Sequence, residues 1–199
     1  MGPLRDLSIA NFSVILARFN KILKSENGDT HVDSVARWRD NGVTANDIMK
    51  VTRRQDDAPV RTHFEQMEYL TLGSPSLRHA YRLISKHCLT PDSVKGHKKI
   101  ILGTDIPVTA WFAETVFRHA YMGVAVMHSN LSQAQRAALA DQFNDEKSDL
   151  QVLILLADVS IVGLNLHRAC NMAFVMTIFR NLALEIQLWG RVNRVMSHL

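Results

Sequence analysis

Residues 98–128, KKIILGTDIPVTAWFAETVFRHAYMGVAVMH, hold two short apolar runs separated by one helical period. KKIILG reads as a strand, PVTAWFAETVFRHA as a helix and GVAVMH as a second strand. The succession continues downstream. SQAQRAALADQFN (132–144) reads as a helix with Ala138, Leu139, Gln142 and Phe143 along one side. LQVLILL (150–156) and NMAFVMTI (171–178) read as strands, and ALEIQLWGRVNRV (183–195) as the last helix. The strand runs lack polar alternation, as strands buried on both faces do. Strands alternating with helices mean crossover units. The expected fold class is therefore α/β, a mainly parallel sheet with helices on both faces.

Upstream of this unit, GSPSLRHAYRLISKHC (73–88) reads as a helix capped by Ser74 or Ser76 and running to about Cys88, followed by the loop TPDSVKGH. Residues 1–25 form an amphipathic helical pattern, with Leu4, Phe12, Ile15, Leu16, Phe19, Ile22 and Leu23 mainly three or four residues apart. SENGD ends that run. Residues 30–72 are more polar, with RRQDD and only short apolar groups, and short helices without a core of their own are expected there. The chain thus divides into a helical lead-in over 1–73 and an α/β unit over 74–199.

The 199 residues suit one domain of ordinary size, and a hydrophobic share of 47% allows a sizeable core. No apolar run approaches the roughly 18 residues needed to cross a bilayer, so no membrane partner is expected. The start MGPLRDLSIANF lacks the pattern of a secretory signal, and Asp6 stands where N-myristoylation calls for Ser or Thr. Cys88 and Cys170, the only cysteines, read as reduced intracellular thiols. A net charge of +4 is compatible with a polyanion partner, but many proteins that touch no nucleic acid are equally basic. Among the 9 histidines, His79, His87, His97, His119 and His128 are scattered with no His-x3-His pair, and no metal site is expected.

The 199 residues contain no glycine-rich loop ending in Gly-Lys-Ser/Thr to cradle phosphates. NDEKSD (144–149) lies between a helix end and a strand, where acidic residues ordinarily solvate a loop. SIVGLNLHRAC (160–170) places Gly163 and Asn165 just past a strand; read alone, it is a glycine loop joining strand to helix. In EIQLWGRVNRV (185–195), Gln187, Arg191 and Arg194 share one narrow helical stripe, with Leu188, Val192 and Val195 on a second stripe suited to a core. The plain reading is a solvated basic face. The sharper one is a multivalent anion, because two planar guanidinium forks one turn apart suit a phosphate.

Taken in order, these motifs resemble the second RecA-like lobe of superfamily-two helicases, and most of all the Swi/Snf class of DNA-dependent ATPases. SIVGLNL stands in place of the family's Gly-rich turn and Gly-Ile/Leu-Asn-Leu, and Gln187, Arg191 and Arg194 match its Gln-x-x-x-Arg-x-x-Arg. Arg136, Phe143 and Asn144 in MHSNLSQAQRAALADQFN keep a family spacing, GSPSLRHA resembles the entry into the lobe, and KKIIL its first strand. The resemblance covers about 74–196. Departures are local: His128-Ser129 replaces Asp-Gly, Ser160-Ile161 replaces a glycine pair, and VMS follows Arg194 in place of Ile-Gly-Gln. With the chain ending soon after, the copy reads as divergent and truncated.

The resemblance implies a RecA-like lobe that completes an ATPase only against a first lobe, in trans or in a longer parent chain. It implies Arg194 as arginine finger with Arg191 beside it, and Gln187, Gly163 and Asn165 as nucleotide-linked residues. Ser160, and more loosely Ser129 and Asn130, would contact the phosphate backbone of duplex DNA. ATP with magnesium is the implied cofactor once a first lobe is supplied, the implied location is intracellular and nuclear, and residues 1–73 become a lead-in or an insertion between lobes. Two other readings stay open: a non-catalytic DNA- or protein-binding remnant of such an ATPase, and an unrelated α/β domain with a small-molecule site at its strand ends.

Overall fold

Four parallel strands make the sheet: β1 (Ile100–Thr104), β2 (Val124–Met127), β3 (Val152–Leu156) and β4 (Ala173–Val175), in the order β2-β3-β1-β4. This is a computed structural model, and it describes residues 8–27, 37–88, 99–157, 166, 170, 172–179 and 181–192. The helices are α1 (Val14–Asn27), α2 (Ala45–Thr52), α3 (His63–Leu70), α4 (Pro75–Cys88), α5 (Pro107–His119), α6 (Gln133–Asn144) and α7 (Leu182–Val192). β1 pairs with β3 from Ile100↔Val152 to Thr104↔Leu156 and with β4 from Ile101↔Ala173 to Gly103↔Val175. Every residue of β1 and β3 is buried, which is why neither run shows polar alternation.

Side chains alternate along β1, so odd- and even-numbered residues face different layers. Thr104 Oγ1 lies 2.7 Å from Thr109 Oγ1 on α5, and α5 packs along β1, β2 and β3. Gly103 faces the other way. A Cβ built there would stand 2.5 Å from Leu188 Cδ2 of α7 and 2.9 Å from Phe179 Cζ. Lys99, of the same parity, puts Nζ 5.6 Å from the Phe143 ring of α6 and donates to the Asp145 carbonyl. Helices therefore cover both faces, α5 on one and α6 with α7 on the other.

The leading segment differs from its sequence reading in two ways. Helix 8–12 breaks at Ser13, whose buried hydroxyl accepts from Leu16 N at 3.2 Å and so opens α1. Leu4 lies outside the described residues. Residues 30–72 also contribute to the core, through buried Trp38, Ile48, Met49, Met67 and Leu70. Phe19 meets Trp38 edge-on at 5.0 Å, and α2 packs on α1, α3 and α5. The polar runs mislead because Thr44 and Thr62 spend their neighbours on capping boxes with Asp47 and Glu65, leaving few positions apolar yet well aimed.

Ser74, of the two candidate serines, caps α4 by accepting from Leu77 N at 3.3 Å. On α6 the buried residues are Ala140 and Phe143, with Leu139 half-buried, whereas Ala138 and Gln142 are exposed. The buried stripe is rotated from the one expected, and Ser132 and Gln135 close a capping box at the helix start.

Two glycines set limits on the packing. A Cβ at Gly123 would collide with the backbone carbonyl of Asp149, which cannot move without displacing β3. Gly103 meets only the ends of side chains. Gly123→Ala is expected to destabilise the fold by about 3 kcal/mol or more, and Gly103→Ala by about 1–2 kcal/mol. Urea unfolding midpoints check this; equal losses would show that Asp149 is free to give way.

Candidate functional site

The carboxyl ends of β1, β3 and β4 come together, with Thr104 opposite Leu156 and Gly103 opposite Val175. Ligands of parallel α/β sheets sit at this end. Three hydroxyls knit it. Thr109 Oγ1 donates to the Ile106 carbonyl at 2.7 Å, so its one proton is spent and it accepts from Thr104. Thr104 Oγ1 in turn accepts from Ile106 N at 3.3 Å and lies 2.8 Å from Thr177 Oγ1. Thr177 also reaches Asp105 Oδ1 at 3.3 Å. The network ties the end of β1, the start of α5 and the chain after β4 into one unit. Sequence reading missed these four polar residues, although each sits within a few residues of an apolar strand run.

Beyond β2 the chain turns through His128, Ser129 and Asn130. Arg136 on α6 donates to the Leu131 carbonyl at 2.8 Å and the Ser129 carbonyl at 3.2 Å, which pins the turn and leaves Ser129 and Asn130 exposed. His128 is half-buried and meets Trp111 of α5 edge-on at 5.0 Å. Burial, and then the charges of Arg39 and Arg136, hold its pKa below the ordinary 6.5. Arg39 belongs to residues 30–72, whose sequence pattern carries no functional signal. Its guanidinium lies 5.6 Å from the Trp111 ring centroid and pairs with Asp40 at 2.8 Å.

On α7, Leu188 is buried against Gly103 as its stripe requires, and Gln187 is exposed beside it. The backbone continues helically through Val192, so Arg191 stands on α7 one turn beyond Gln187. Its side chain and that of Val192 lie outside what is described, as do Ser160, Gly163, Asn165, Arg194 and Val195 entirely. Ser129 and Asn130 follow the edge strand β2, whereas α7 seats on β1, with β3 between them. Leu182, Ile186 and Trp189 are exposed along α7, a face the sequence stripe did not assign. Among the described residues no three metal-ligating side chains gather, and no helix is long and apolar enough to cross a membrane.

A histidine joint holds α3 to the end of α5. His63 Nε2 lies 2.9 Å from the His119 carbonyl, and His119 Nε2 lies 2.8 Å from Gln66 Oε1, so each ring donates from Nε2. Tyr121, with φ +60, stacks on His63 at 5.2 Å. Burial, and then the charge of His63, lower the pKa of His119 below 6.5. Below that value the unfolded chain binds the proton first, so stability falls with acidification until the folded pKa is passed. His128 adds in the same direction, while Glu114, raised by burial, opposes it. The thermal midpoint is therefore expected to drop between about pH 7.5 and 5.5, and His119→Gln to make that drop smaller. An unchanged slope in the variant would remove His119 from the joint's energetics.

The family described as helicase conserved C-terminal domain matches residues 80–196. No curated protein matches the sequence. Among solved structures 30 chains match. One is the C-terminal part of the Fun30 ATPase domain, at a TM-score of 0.59 and 16% identity. That likeness covers 95% of this chain, and this chain spans 59% of the other. At such identity it speaks for the fold, the leading helices included.

Proposed function

The chain belongs to the helicase conserved C-terminal domain family, and on that premise we propose that it is the second RecA-like lobe of a Swi/Snf-like, ATP-dependent DNA translocase. The unrelated α/β reading falls with the family match. Residues 74–199 are the lobe in this proposal, and 1–73 a helical lead-in or an insertion between lobes. One observation supports it above the others. Leu188 seats α7 on the bare backbone of Gly103, so the helix bearing Gln187 and Arg191 is held over the central strand.

In the proposal Arg194 stabilises charge developing on the transferred phosphoryl group, Arg191 contacts the same phosphates and Gln187 orients them. Gly163 and Asn165 link the nucleotide to the DNA track. Ser160, with Ser129 and Asn130, meets the phosphate backbone of duplex DNA, which points to a nuclear location. The exposure of Ser129 and Asn130 on a turn pinned by Arg136 suits such contacts. ATP with magnesium enters only with a first lobe, because these 199 residues carry no phosphate loop ending in Gly-Lys-Ser/Thr.

A second reading, a DNA- or protein-binding remnant without catalysis, is favoured by one observation. His128, at the position of the family's Asp, is committed to packing on Trp111.

The isolated chain is expected to release no phosphate from ATP, with or without duplex DNA, in a steady-state assay. With a first lobe supplied, Arg194→Ala is expected to lower turnover by about 10³ or more while leaving DNA affinity nearly unchanged. Turnover indifferent to that change in an active pair would overturn the arginine assignment. DNA binding by the lobe alone is expected to be weak and indifferent to sequence, falling linearly with salt on a log-log plot. Competition between unrelated duplexes at matched salt tests this, and a preference above about tenfold would signal base readout instead.

A further inference from the structure

α5 buries one side, through Val108, Phe112, Val116 and Phe117. Trp111, Glu114, Thr115, Arg118 and His119 recur at three- and four-residue steps along another, and this stripe lines a cavity of about 680 Å³. Trp38 and residues 42–45 of the leading segment wall it from one side, and Ala125 and Val126 of β2 from another. The volume falls in the range of about 300–1,000 Å³ in which small ligands bind. Part of the wall precedes residue 80, so the matched family region does not build this cavity alone. It also lies on the α5 side of the sheet, across from the helix that carries Gln187 and Arg191.

The charges around the cavity cancel in pairs. Arg118 donates from both Nε and Nη2 to a single oxygen of Glu114, Oε1, at 3.1 and 2.7 Å, and Arg39 pairs with Asp40 at 2.8 Å. Burial lowers the pKa of His119 and His128 below 6.5, which leaves both rings uncharged near neutrality. A charged ligand would give up its hydration there without meeting a counter-charge.

Three polar groups of α5 are left as acceptors. Glu114 Oε2 takes no hydrogen bond from the described residues, although this side chain is only 15% exposed. Burial raises the Glu114 pKa in spite of Arg118, as expected of a carboxylate short of donors. Thr115 spends its proton on the Trp111 carbonyl at 2.8 Å and can only accept. His119 donates from Nε2 to Gln66 at 2.8 Å, so its Nδ1 keeps a lone pair. Trp111, half-buried, adds a flat wall, and Arg39 at 5.6 Å from its centroid opposes a second cation on the same ring. Glu114, His119 and His128, three groups with displaced pKa values, thus line one cavity, a combination that marks binding sites.

We propose that this cavity binds a neutral purine carrying an exocyclic amino group. The amino group donates to Glu114 Oε2, and the fused rings lie along Trp111, whose indole has a similar flat area. The base brings the donor that the carboxylate lacks and no charge that the lining would have to balance. The site does not rest on the reading of the chain as a helicase lobe.

Isothermal titration calorimetry of the full chain with two purines tests this. 9-Methyladenine has its amino group as the one hydrogen-bond donor, and 6-methoxy-9-methylpurine keeps the rings without a donor. 9-Methyladenine is expected to saturate one site with a Kd below about 1 mM, and the methoxy compound to bind at least about tenfold more weakly. Glu114→Gln, which turns an amide N–H toward the cavity, is expected to reverse that order. Trp111→Leu should weaken both purines about tenfold, and Arg191→Ala should leave both unchanged, with thermal midpoints confirming that each variant folds. Absence of saturable binding, equal affinity for the two purines in the unaltered chain, or an order indifferent to Glu114→Gln would overturn the proposal. Loss of binding in Arg191→Ala would place the base on the α7 side of the sheet and overturn it as well.

Discussion

The absence of a side chain at Gly103 is the constraint on which the rest of the lobe depends. β1 is central, paired on both sides and buried on both faces, so whatever covers it must come close. Leu188 and Phe179 fill the space a Cβ would have taken. That contact fixes how α7 lies over the sheet and with it where Gln187 and the backbone of Arg191 stand. In the role proposed for Arg191 that placement matters, because the effect of a guanidinium on a transition state depends on geometry set in advance. A glycine in the middle of a strand, ordinarily a weakness, serves here as the seat for the helix.

The opposite face answers to α5. It packs on three strands and receives α2 on its far side, so the leading helices attach to the lobe through it. The attachment is partly apolar, through residues such as Ile48 and Trp38, and partly polar, through the His63–His119 joint. Fold likeness covering 95% of the chain includes these helices with the sheet. The same attachment brings Trp38 and Arg39 beside α5 and β2, around one cavity.

Polar groups near the site divide into those that hold the frame and those that remain available. Thr104, Thr109 and Thr177 spend their hydroxyl protons on one another and on neighbouring backbone and carboxylate, and Arg136 spends its guanidinium on two carbonyls. These side chains shape the strand ends. Ser129, Asn130 and Gln187 are exposed and retain groups to offer a ligand.

The α/β class was legible in the sequence because strands buried on both faces must be apolar throughout and the helices between them keep their own period. KKIIL, LQVLILL and the helix from Pro107 could hardly fold otherwise. The burial of Leu188 was legible from the helical period of its segment, and the ordered motifs pointed to the helicase lobe. What local pattern could not decide was strand order, since β1 lies between β3 and β4 only by virtue of pairing across some fifty and seventy residues. Nor could it find the burial of Trp38 and Ile48, whose apolar neighbours come from α1 and α5 rather than from adjacent sequence. Arg39 beside Trp111 and the hydroxyl chain at the strand ends are likewise products of tertiary packing. Each depends on which distant residues meet, and periodicity along one segment records only which way that segment faces.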